Sequence, residues 1–589
     1  MLREAEVSAT SAPIDRASVK LETCAEEILY LLGAHGVELL FLNSGTDSAP
    51  LQEAFAVLEQ RGVPAPRAIT STFESVALAA AHGYWQATQR PQSVFVHVDV
   101  GTQNLGAMVH DLLRDRAGAV VLAGKAPYGE DAASAGARSS PIHWQQDVPD
   151  QAGIIRAYAK WVAELTRSRD AARVVGRAVQ VAGGGIPGLS YLMLSRDVLM
   201  EPAGPAELRR TAGFARPRPP AIEAGALAEL AARLARAERP LLITSRAGRF
   251  GGGAEALGEL ASACALPVIG RPEAVNLVSS HPMRVCSEEL AGELLAEADL
   301  VLIVDCDVPW IPKDAAPAAD CYVAQIDRDP IKADMPLWSF PVDLAVCADP
   351  AVALRQLCGA LAPHAAEHGA RWERRRARLE PEIAEASSRV RARAAAPGVA
   401  PGDVRAVALA LGRLLESERC LLVEEAVTNV PALSELVPRN EPGTLFSSGG
   451  PGLGWSPGAS VGIKLARPDR PVVAVLGDGS FMFGVPTAAL ALAAEAGAPV
   501  VLVVLNNEGY RASRRPVLEL FPDGASARRG EVLGTRFARA PDFVALARAC
   551  GAHGERTEGA TGLEDALGRA LAANRRGDSA VIDVHLEQS

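Results

Sequence analysis

The sequence predicts an α/β protein of three domains, each with a mainly parallel sheet flanked by helices. Three observations predict it. At 589 residues the chain is too long for one hydrophobic core. Short apolar runs alternate with helical patterns along most of it, the order that builds helix-covered parallel sheets. Two stretches without that alternation, 199–220 and 361–402, divide it into three blocks.

Residues 1–20 read as a loose N-terminal tail. In the first block, 21–198, Ala25 to Leu32 has helical periodicity, and Val37–Leu42, Ser93–Val98 and Ala119–Leu122 read as strands. The stretch 199–220 is rich in Pro, Ala and Arg and reads as a linker. The second block, 221–360, has strands at Pro240–Thr244, Leu300–Val304 and Tyr322–Ile326. Its Gly251-Gly252-Gly253 run is read as a flexible turn before a helix, since lone glycines are weak dinucleotide evidence. The connector 361–402 has an Arg-rich helical portion, Arg371 to Arg378, and an Ala/Pro/Gly end. The last block, 403–589, closes on the strand Ala580–Val584.

Composition excludes several classes of function. A net charge of −11 argues against nonspecific nucleic-acid binding, which needs basic surface. Nine scattered cysteines, odd in number and without a CxxC pair, read as thiols in a reducing compartment. The N-terminus mixes charges without an apolar core, so no secretory signal is expected. No run long and apolar enough for a membrane helix appears. A cytoplasmic location follows as the expectation.

The chemistry concentrates in Pro471 to Tyr510, PVVAVLGDGSFMFGVPTAALALAAEAGAPVVLVVLNNEGY. An apolar strand, Val472 to Leu476, ends in Gly477-Asp478-Gly479-Ser480, and a second, Val500 to Leu505, ends in Asn506-Asn507. A strand–helix–strand unit thus delivers an Asp and an Asn to the carboxyl edge of one sheet, where open α/β sheets bind ligands. An Asp carboxylate, an Asn amide oxygen and a nearby backbone carbonyl are hard oxygen ligands suited to Mg²⁺ shared with phosphate. A plain βαβ unit with a turn Asp and a capping Asn pair is the alternative.

GDG followed by NN resembles the signature of thiamine diphosphate (ThDP) enzymes. That resemblance implies that Asp478, Asn507 and the main-chain carbonyl of Gly509 hold the metal bridging to the cofactor diphosphate. The three blocks resemble the pyrimidine-binding, central and diphosphate-binding domains of the ThDP-dependent decarboxylase and acetolactate synthase superfamily. The family's cofactor-activating glutamate falls at Glu74: Phe73-Glu74 and the following Ala79 to Thr88 resemble the H-E-x-x-A…G-Y-x-x-x-T helix, with Phe73 where His is common. Ser71-x-x-Glu74 is also a legitimate helix capping box, which is the alternative for that carboxylate. In the family the two motifs come from different subunits, which implies a homodimer at least, and a homotetramer is expected.

The N-terminal segments are closest to benzoylformate decarboxylase. Phe41 to Pro50 resembles its F-G-N-P-G-S-N-E-L-P loop, which puts Thr46 where a serine contacts the substrate carboxylate, and Ser44 in place of a proline. His97 to Asn104 resembles H-S-A-A-G-T-G-N, which makes His97 the proton-transfer histidine. The alternative for His97 is a satisfied histidine ending a buried strand. Asp99, an unexpected charge, is read as tuning His97 or excluding anionic substrates. Gly450 to Trp455 resembles the G-x-x-M-G-F turn, so Leu453 would bend the cofactor and the Gly452 carbonyl meet its pyrimidine; a Gly-rich loop packing a core Leu is the plainer reading. Thr428, Gly479, Ser480 and Tyr510 complete the expected cofactor-binding set. The arginines after Tyr510 (Arg511, Arg514, Arg515, Arg528, Arg529, Arg536 and Arg539) read as a solvated loop before an anion site.

The implied activity is decarboxylation of a 2-oxo acid through a carbanion/enamine on the cofactor, giving an aldehyde or a carboligation product. Three rivals stand beside it: an acetolactate synthase-like carboligase, for which Trp144-Gln145-Gln146 is a faint counterpart of F-Q-E; an acyl-CoA lyase; and a non-catalytic ThDP-binding subunit. FAD accompanies some relatives, but no residue here supports it.

Overall fold

A computed structural model of the protein describes residues 19–206 and 214–587. The expected tail lies outside them except for its last two residues, as does 207–213 of the expected linker. Three six-stranded sheets organise the rest. The first comprises β1 (Leu39–Leu42), β2 (Arg67–Thr70), β3 (Gln92–Val96), β4 (Ala119–Lys125), β5 (Trp161–Leu165) and β6 (Leu189–Ser195). The second comprises β7 (Pro240–Thr244), β8 (Val268–Gly270), β9 (Arg284–Val285), β10 (Leu300–Val304), β11 (Tyr322–Asp327) and β12 (Leu344–Cys347). The third comprises β13 (Leu421–Glu425), β14 (Leu445–Ser447), β15 (Val472–Gly477), β16 (Val501–Asn506), β17 (His553–Glu558) and β18 (Ala580–His585). The chain separates into two compact units, one of residues 1–85 and 89–216 with the first sheet, the other of 86–88 and 217–589 with the remaining two.

Strands buried on both faces must be apolar throughout. β1 and β10 meet this requirement with Leu-Leu-Phe-Leu and Leu-Val-Leu-Ile-Val. Neighbouring strands pair in parallel, as crossover helices require.

Strand order decides where ligands bind. The first sheet runs β2-β1-β3-β4-β6-β5 and the third β14-β13-β15-β16-β18-β17, the same order counted from each start. Connections leave β1 and β3, and likewise β13 and β15, towards opposite sides, opening a crevice at their carboxyl ends. The second sheet runs β12-β11-β10-β7-β8-β9, the dinucleotide-fold order, with its reversal between β7 and β10.

The connector is more ordered than its sequence suggests. A single helix spans Ala365–Ala394 and carries Pro381 inside it. It buries Trp372, Arg375, Leu379 and Ile383, a spacing that keeps one face on the second domain. Arg375 explains the arginine richness in part. Its Nε donates to Ala265 O at 2.9 Å, Nη1 to Ala237 O at 2.8 Å, and Nη2 to Cys264 O. Ala237 and Ala265 cap the C-terminal ends of the helices Ala224–Arg236 and Gly253–Cys264, so one guanidinium satisfies carbonyls that both helices leave unpaired. Arg375→Met should therefore lower the stability of the full chain by about 3 kcal/mol in urea denaturation, because the stem is kept but the buried carbonyls lose their donors.

Candidate active site

At the crevice of the first sheet, β1 runs into Asn43–Ser48 and β3 into His97. Asn43 ties the loop down, its Nδ2 donating to Ser71 O at 3.1 Å. Ser48 Oγ closes it, donating to Gly45 O at 2.8 Å. Asp47 is 2% exposed, and its Oδ1 lies 2.5 Å from His97 Nδ1. The hydrogen bond that His97 donates to Asp47 holds the His97 pKa above the ordinary imidazole value, against burial, and Gln146 pushes the same way more weakly. Two glycines make the pair possible. A Cβ on Gly124 of β4 would come 1.3 Å from Asp47 Oδ2, and one on Gly45 would come 2.1 Å from His97 Nδ1. Asp99, read as tuning His97 or excluding anionic substrates, accepts from Gln103 Nε2 at 3.3 Å and raises the His97 pKa as the last of the influences on the imidazole.

Thr46 meets a residue that the sequence did not single out. His143 is buried, and its Nε2 lies 3.2 Å from Thr46 Oγ1. Its Nδ1 accepts from the Ser139 N–H at 3.0 Å. A neutral ring therefore carries its proton on Nε2 and donates it to Thr46, leaving the threonine hydroxyl to donate outward. Burial first, then the nearby Arg196 and Arg138, lowers the His143 pKa and keeps the ring neutral. The only signal in the sequence was position: His143 directly precedes Trp144-Gln145-Gln146.

Glu74 opens the helix Glu74–Thr88, and its N-cap residue Phe73 makes no side-chain cap. Ser71 Oγ donates to Phe73 O at 3.1 Å, so the capping-box alternative does not form. The Glu74 carboxylate accepts from Asn104 Nδ2 at 3.2 Å and packs on Gly101, where a Cβ would come 3.2 Å from Oε1. Both partners lie on the helix Val98–Asn104 that His97 introduces, so Glu74 and His97 border one short helix. Val98 enters it at φ +39°, a strained value for a buried β-branched residue.

At the crevice of the third sheet, β15 delivers Asp478, which is 2% exposed. Its Oδ1 accepts from the Gly479 N–H at 2.8 Å and its Oδ2 from the Gly509 N–H at 3.0 Å. Burial outweighs these bonds and raises the Asp478 pKa, so the carboxylate is short of positive charge. Among the described residues no group of three His, Cys, Asp or Glu stands ready for a metal. The loop whose Gly509 N–H meets Asp478 also carries the Asn507 amide and the Gly509 carbonyl, hard oxygens of the kind that fit Mg²⁺, which would relieve the buried charge. The preceding Asn506 serves structure: its Nδ2 donates to Asp583 Oδ1 at 2.9 Å and its Oδ1 accepts from the Glu508 N–H at 3.0 Å.

The other expected cofactor contacts gather round this edge. Gly479 lies under the Tyr510 ring, where a Cβ would come 3.0 Å from Cε1, and Tyr510 sits edge-on to Phe537 at 4.9 Å. Ser480 Oγ donates to Glu425 O at 3.2 Å, and the Gly479 amide is engaged with Asp478, so in this structure both serve the protein. The Glu425 carboxylate accepts from the N–H groups of Gly454, Trp455 and Ser456, capping the helix Trp455–Ala466. Gly454 has φ +96°, and a Cβ there would strike the Phe483 backbone at 2.4 Å. That turn leaves Gly452 and Leu453 half-exposed ahead of the helix, while Thr428 follows Val427, which is 47% exposed at φ +41°.

The arginines after Tyr510 divide into two sets. The segment folds back, with the Tyr510 N–H donating to Thr535 O at 2.8 Å and the Phe537 N–H to Glu508 O at 2.9 Å. Arg511, Arg514 and Arg536 line a cavity of about 510 Å³ together with Asn507 and Gly509. Arg515 pairs with Glu519 at 2.5 Å, and Arg528 donates to Asp523 O. In the second sheet the reversal between β7 and β10 is filled from within: Arg246 is paired with Glu273, Asp305 and Asp307, and buried Lys332 with Asp307 and Asp327.

Three family models match the chain. They are the N-terminal TPP binding domain of thiamine pyrophosphate enzymes over residues 22–154, the central domain over 227–357, and the C-terminal TPP binding domain over 427–584. Benzoylformate decarboxylase of Pseudomonas aeruginosa is 29% identical over 574 residues, 92% of this chain and 96% of the relative. The acetolactate synthase large subunit of Parasynechococcus marenigrum is 26% identical over 595 residues, 96% of this chain and 87% of the relative. The 4-hydroxybenzoylformate decarboxylase structure from Rhodococcus jostii agrees in fold, with a TM-score of 0.74 at 21% identity, covering 96% of this chain and 100% of that one. With the same three domains in the same order, the chain belongs to the thiamine pyrophosphate enzyme family, in its 2-oxo acid decarboxylase and acetolactate synthase superfamily.

Proposed function

We propose that the protein is a Mg²⁺- and ThDP-dependent 2-oxo acid decarboxylase. The observation that carries this reading is the cluster at the first crevice, an imidazole paired with buried Asp47 and standing near a threonine hydroxyl that His143 turns outward. ThDP, when bound, supplies a carbon nucleophile and then a sink for the electron pair that decarboxylation releases. The protein's own residues supply the rest. Thr46 donates its hydroxyl proton to the substrate carboxylate. His97, whose hold on its proton Asp47 strengthens, gives a proton to the substrate oxygen and takes part in protonating the product carbon, work suited to an imidazole. Glu74 hydrogen-bonds a ring nitrogen of the cofactor. Asp478, Asn507 and the Gly509 carbonyl hold the metal, and Thr428, Gly452, Leu453, Gly479, Ser480 and Tyr510 surround the cofactor.

Aldehyde release is favoured over carboligation because a paired histidine is placed to donate the last proton. FAD has no part in this reading, since no residue of the sequence supports it. The reading includes a cytoplasmic protein that assembles at least as a homodimer, because the family draws its glutamate and its metal site from different subunits. No helix among the described residues is long and apolar enough to cross a membrane.

The test is CO₂ release from a panel of aliphatic and aromatic 2-oxo acids with ThDP and Mg²⁺ present. One or more acids should lose CO₂ and yield the aldehyde, and Glu74→Gln or His97→Ala should lower kcat by about 10²–10⁴-fold. A hydroxy ketone as product would favour the carboligase instead. No CO₂ from any acid would sink the decarboxylase reading and point to an acyl-CoA substrate or a non-catalytic subunit.

The Asp47–His97 pair makes a separate prediction in the unloaded protein. The folded imidazole pKa is raised, so the pair's stabilisation is complete below the unfolded value of about 6.5 and fades as pH rises through the folded value. Asp47→Asn should lower the His97 pKa in an NMR titration. It should also depress the thermal midpoint more at mildly acidic than at alkaline pH. In the loaded enzyme the alkaline limb of activity should move to lower pH.

A further inference from the structure

Beneath the turn after His97 runs a buried chain of neutral polar groups that no step of the proposed reaction uses. Thr102, on the helix Val98–Asn104, is 2% exposed, and its Oγ1 donates back to Val98 O at 2.7 Å. Tyr191 of β6 is fully buried, and its hydroxyl lies 2.7 Å from Thr102 Oγ1. Gln151 is buried beside them; its Nε2 donates to Tyr191 Oη at 3.0 Å and to Gly124 O at 2.8 Å. The direction of every bond is fixed. Carbonyl oxygens only accept, so the single Thr102 proton goes to Val98, and the Gln151 amide must turn its nitrogen to Gly124. That leaves the Tyr191 proton for Thr102 Oγ1 and the second Gln151 N–H for the Tyr191 oxygen. Burial raises the Tyr191 pKa, so the hydroxyl keeps the proton it donates. Bonds aligned in this way polarise and strengthen one another in a dry interior.

Both ends of the chain meet the Asp47–His97 pair. At one end is Val98, whose φ of +39° leads the backbone out of His97 into the helix. A β-branched residue persists in that state only where its surroundings over-determine it. At the other end is Gly124, whose missing side chain makes room for Asp47. The β3–β4 pairing stops one residue earlier, at Val96 and Ala123, and the Gln151 amide holds β4 just beyond it. The helix that Val98 opens also carries Gly101 and Asn104 to Glu74.

We propose that Tyr191 is a positioning residue for the Asp47–His97 pair, its hydroxyl acting through Thr102 on the strained turn after His97 and through Gln151 on the strand beneath Asp47. The inference rests on the reading of His97 as the proton-transfer group; Tyr191 itself, fully buried, reaches neither substrate nor cofactor. The charged groups facing His97 are Asp47 and Asp99, with the neutral His143 nearby, and none of them belongs to the chain. Loss of the Tyr191 hydroxyl removes no charge, so it alters the imidazole through geometry alone.

The test follows the His97 titration by NMR in the full chain without cofactor, histidine being labelled at Cε1 and the His97 signal identified among the ten by its loss in His97→Gln. Tyr191→Phe should bring the His97 midpoint down to near the unfolded value of about 6.5. Thr102→Val should do the same, while Thr102→Ser, which keeps the hydroxyl, should retain the native midpoint. In the loaded, active enzyme Tyr191→Phe should lower kcat by up to about 10²-fold with KM little changed. A native His97 midpoint in folded Tyr191→Phe, a midpoint in Thr102→Ser displaced as far as in Thr102→Val, or an unchanged kcat overturns the proposal and leaves Tyr191 a core residue only. The NMR midpoints are read whether or not the protein decarboxylates any acid, so their failure is separate from failure of the decarboxylase reading. Should Tyr191→Phe fail to fold, Gln151→Met breaks the chain at its first donor and is judged by the same midpoint.

Discussion

The reversal of strand order between β1 and β3, and again between β13 and β15, is the constraint on which the rest depends. Right-handed crossovers leave those neighbours on opposite faces, and the gap they open lies at their carboxyl ends. Thr46, Asp47 and His97 follow β1 and β3, while Thr428 and Asp478 to Ser480 follow β13 and β15. Within each of these two sheets, residues from separate loops come to one edge because of that reversal, and the same topological feature occurs twice. The second sheet has its reversal elsewhere and fills it with Arg246 and its carboxylates, so a similar edge is turned to structural use.

Buried carboxylates at these edges are told apart by their partners. Asp47 faces an imidazole, Glu425 faces three amide groups at the head of a helix, and Asp478 faces amides too few to offset its burial. The first arrangement moves a proton equilibrium, the second fixes a turn, and the third leaves a demand for a cation. The chemical type of the residue is the same in each case, and the environment assigns the task.

What the sequence showed was local. Apolar runs ending in Gly-Asp-Gly-Ser and Asn-Asn marked β15 and β16, because a buried parallel strand must be apolar and a ligand edge must not be. Glu74 was legible as a carboxylate at a helix start, but its freedom from capping depended on where the Ser71 hydroxyl turned. The His143–Thr46 and His97–Asp47 bonds were not legible, since each joins loops set side by side only by sheet order. The helix Ala365–Ala394 was seen only in part, because Pro381 and the charged surface mask an apolar stripe whose partner lies in another domain. The strained backbone at Val98, Val427 and Glu508 had no signal either, as valine and glutamate are not the residues that left-handed φ favours.

The glycine on β4 carries a consequence for how the site can vary. Gly124 offers Asp47 the space that any side chain would occupy, so the two positions are one decision and not two. A descendant that gains a methyl group at 124 must give up the acid at 47 or redirect the loop, and with it the proton affinity of His97. Lineages that abandon the acid are released from the glycine. Exchange at this strand position is therefore expected to travel with exchange in the loop, a linkage imposed by volume before any selection on catalysis.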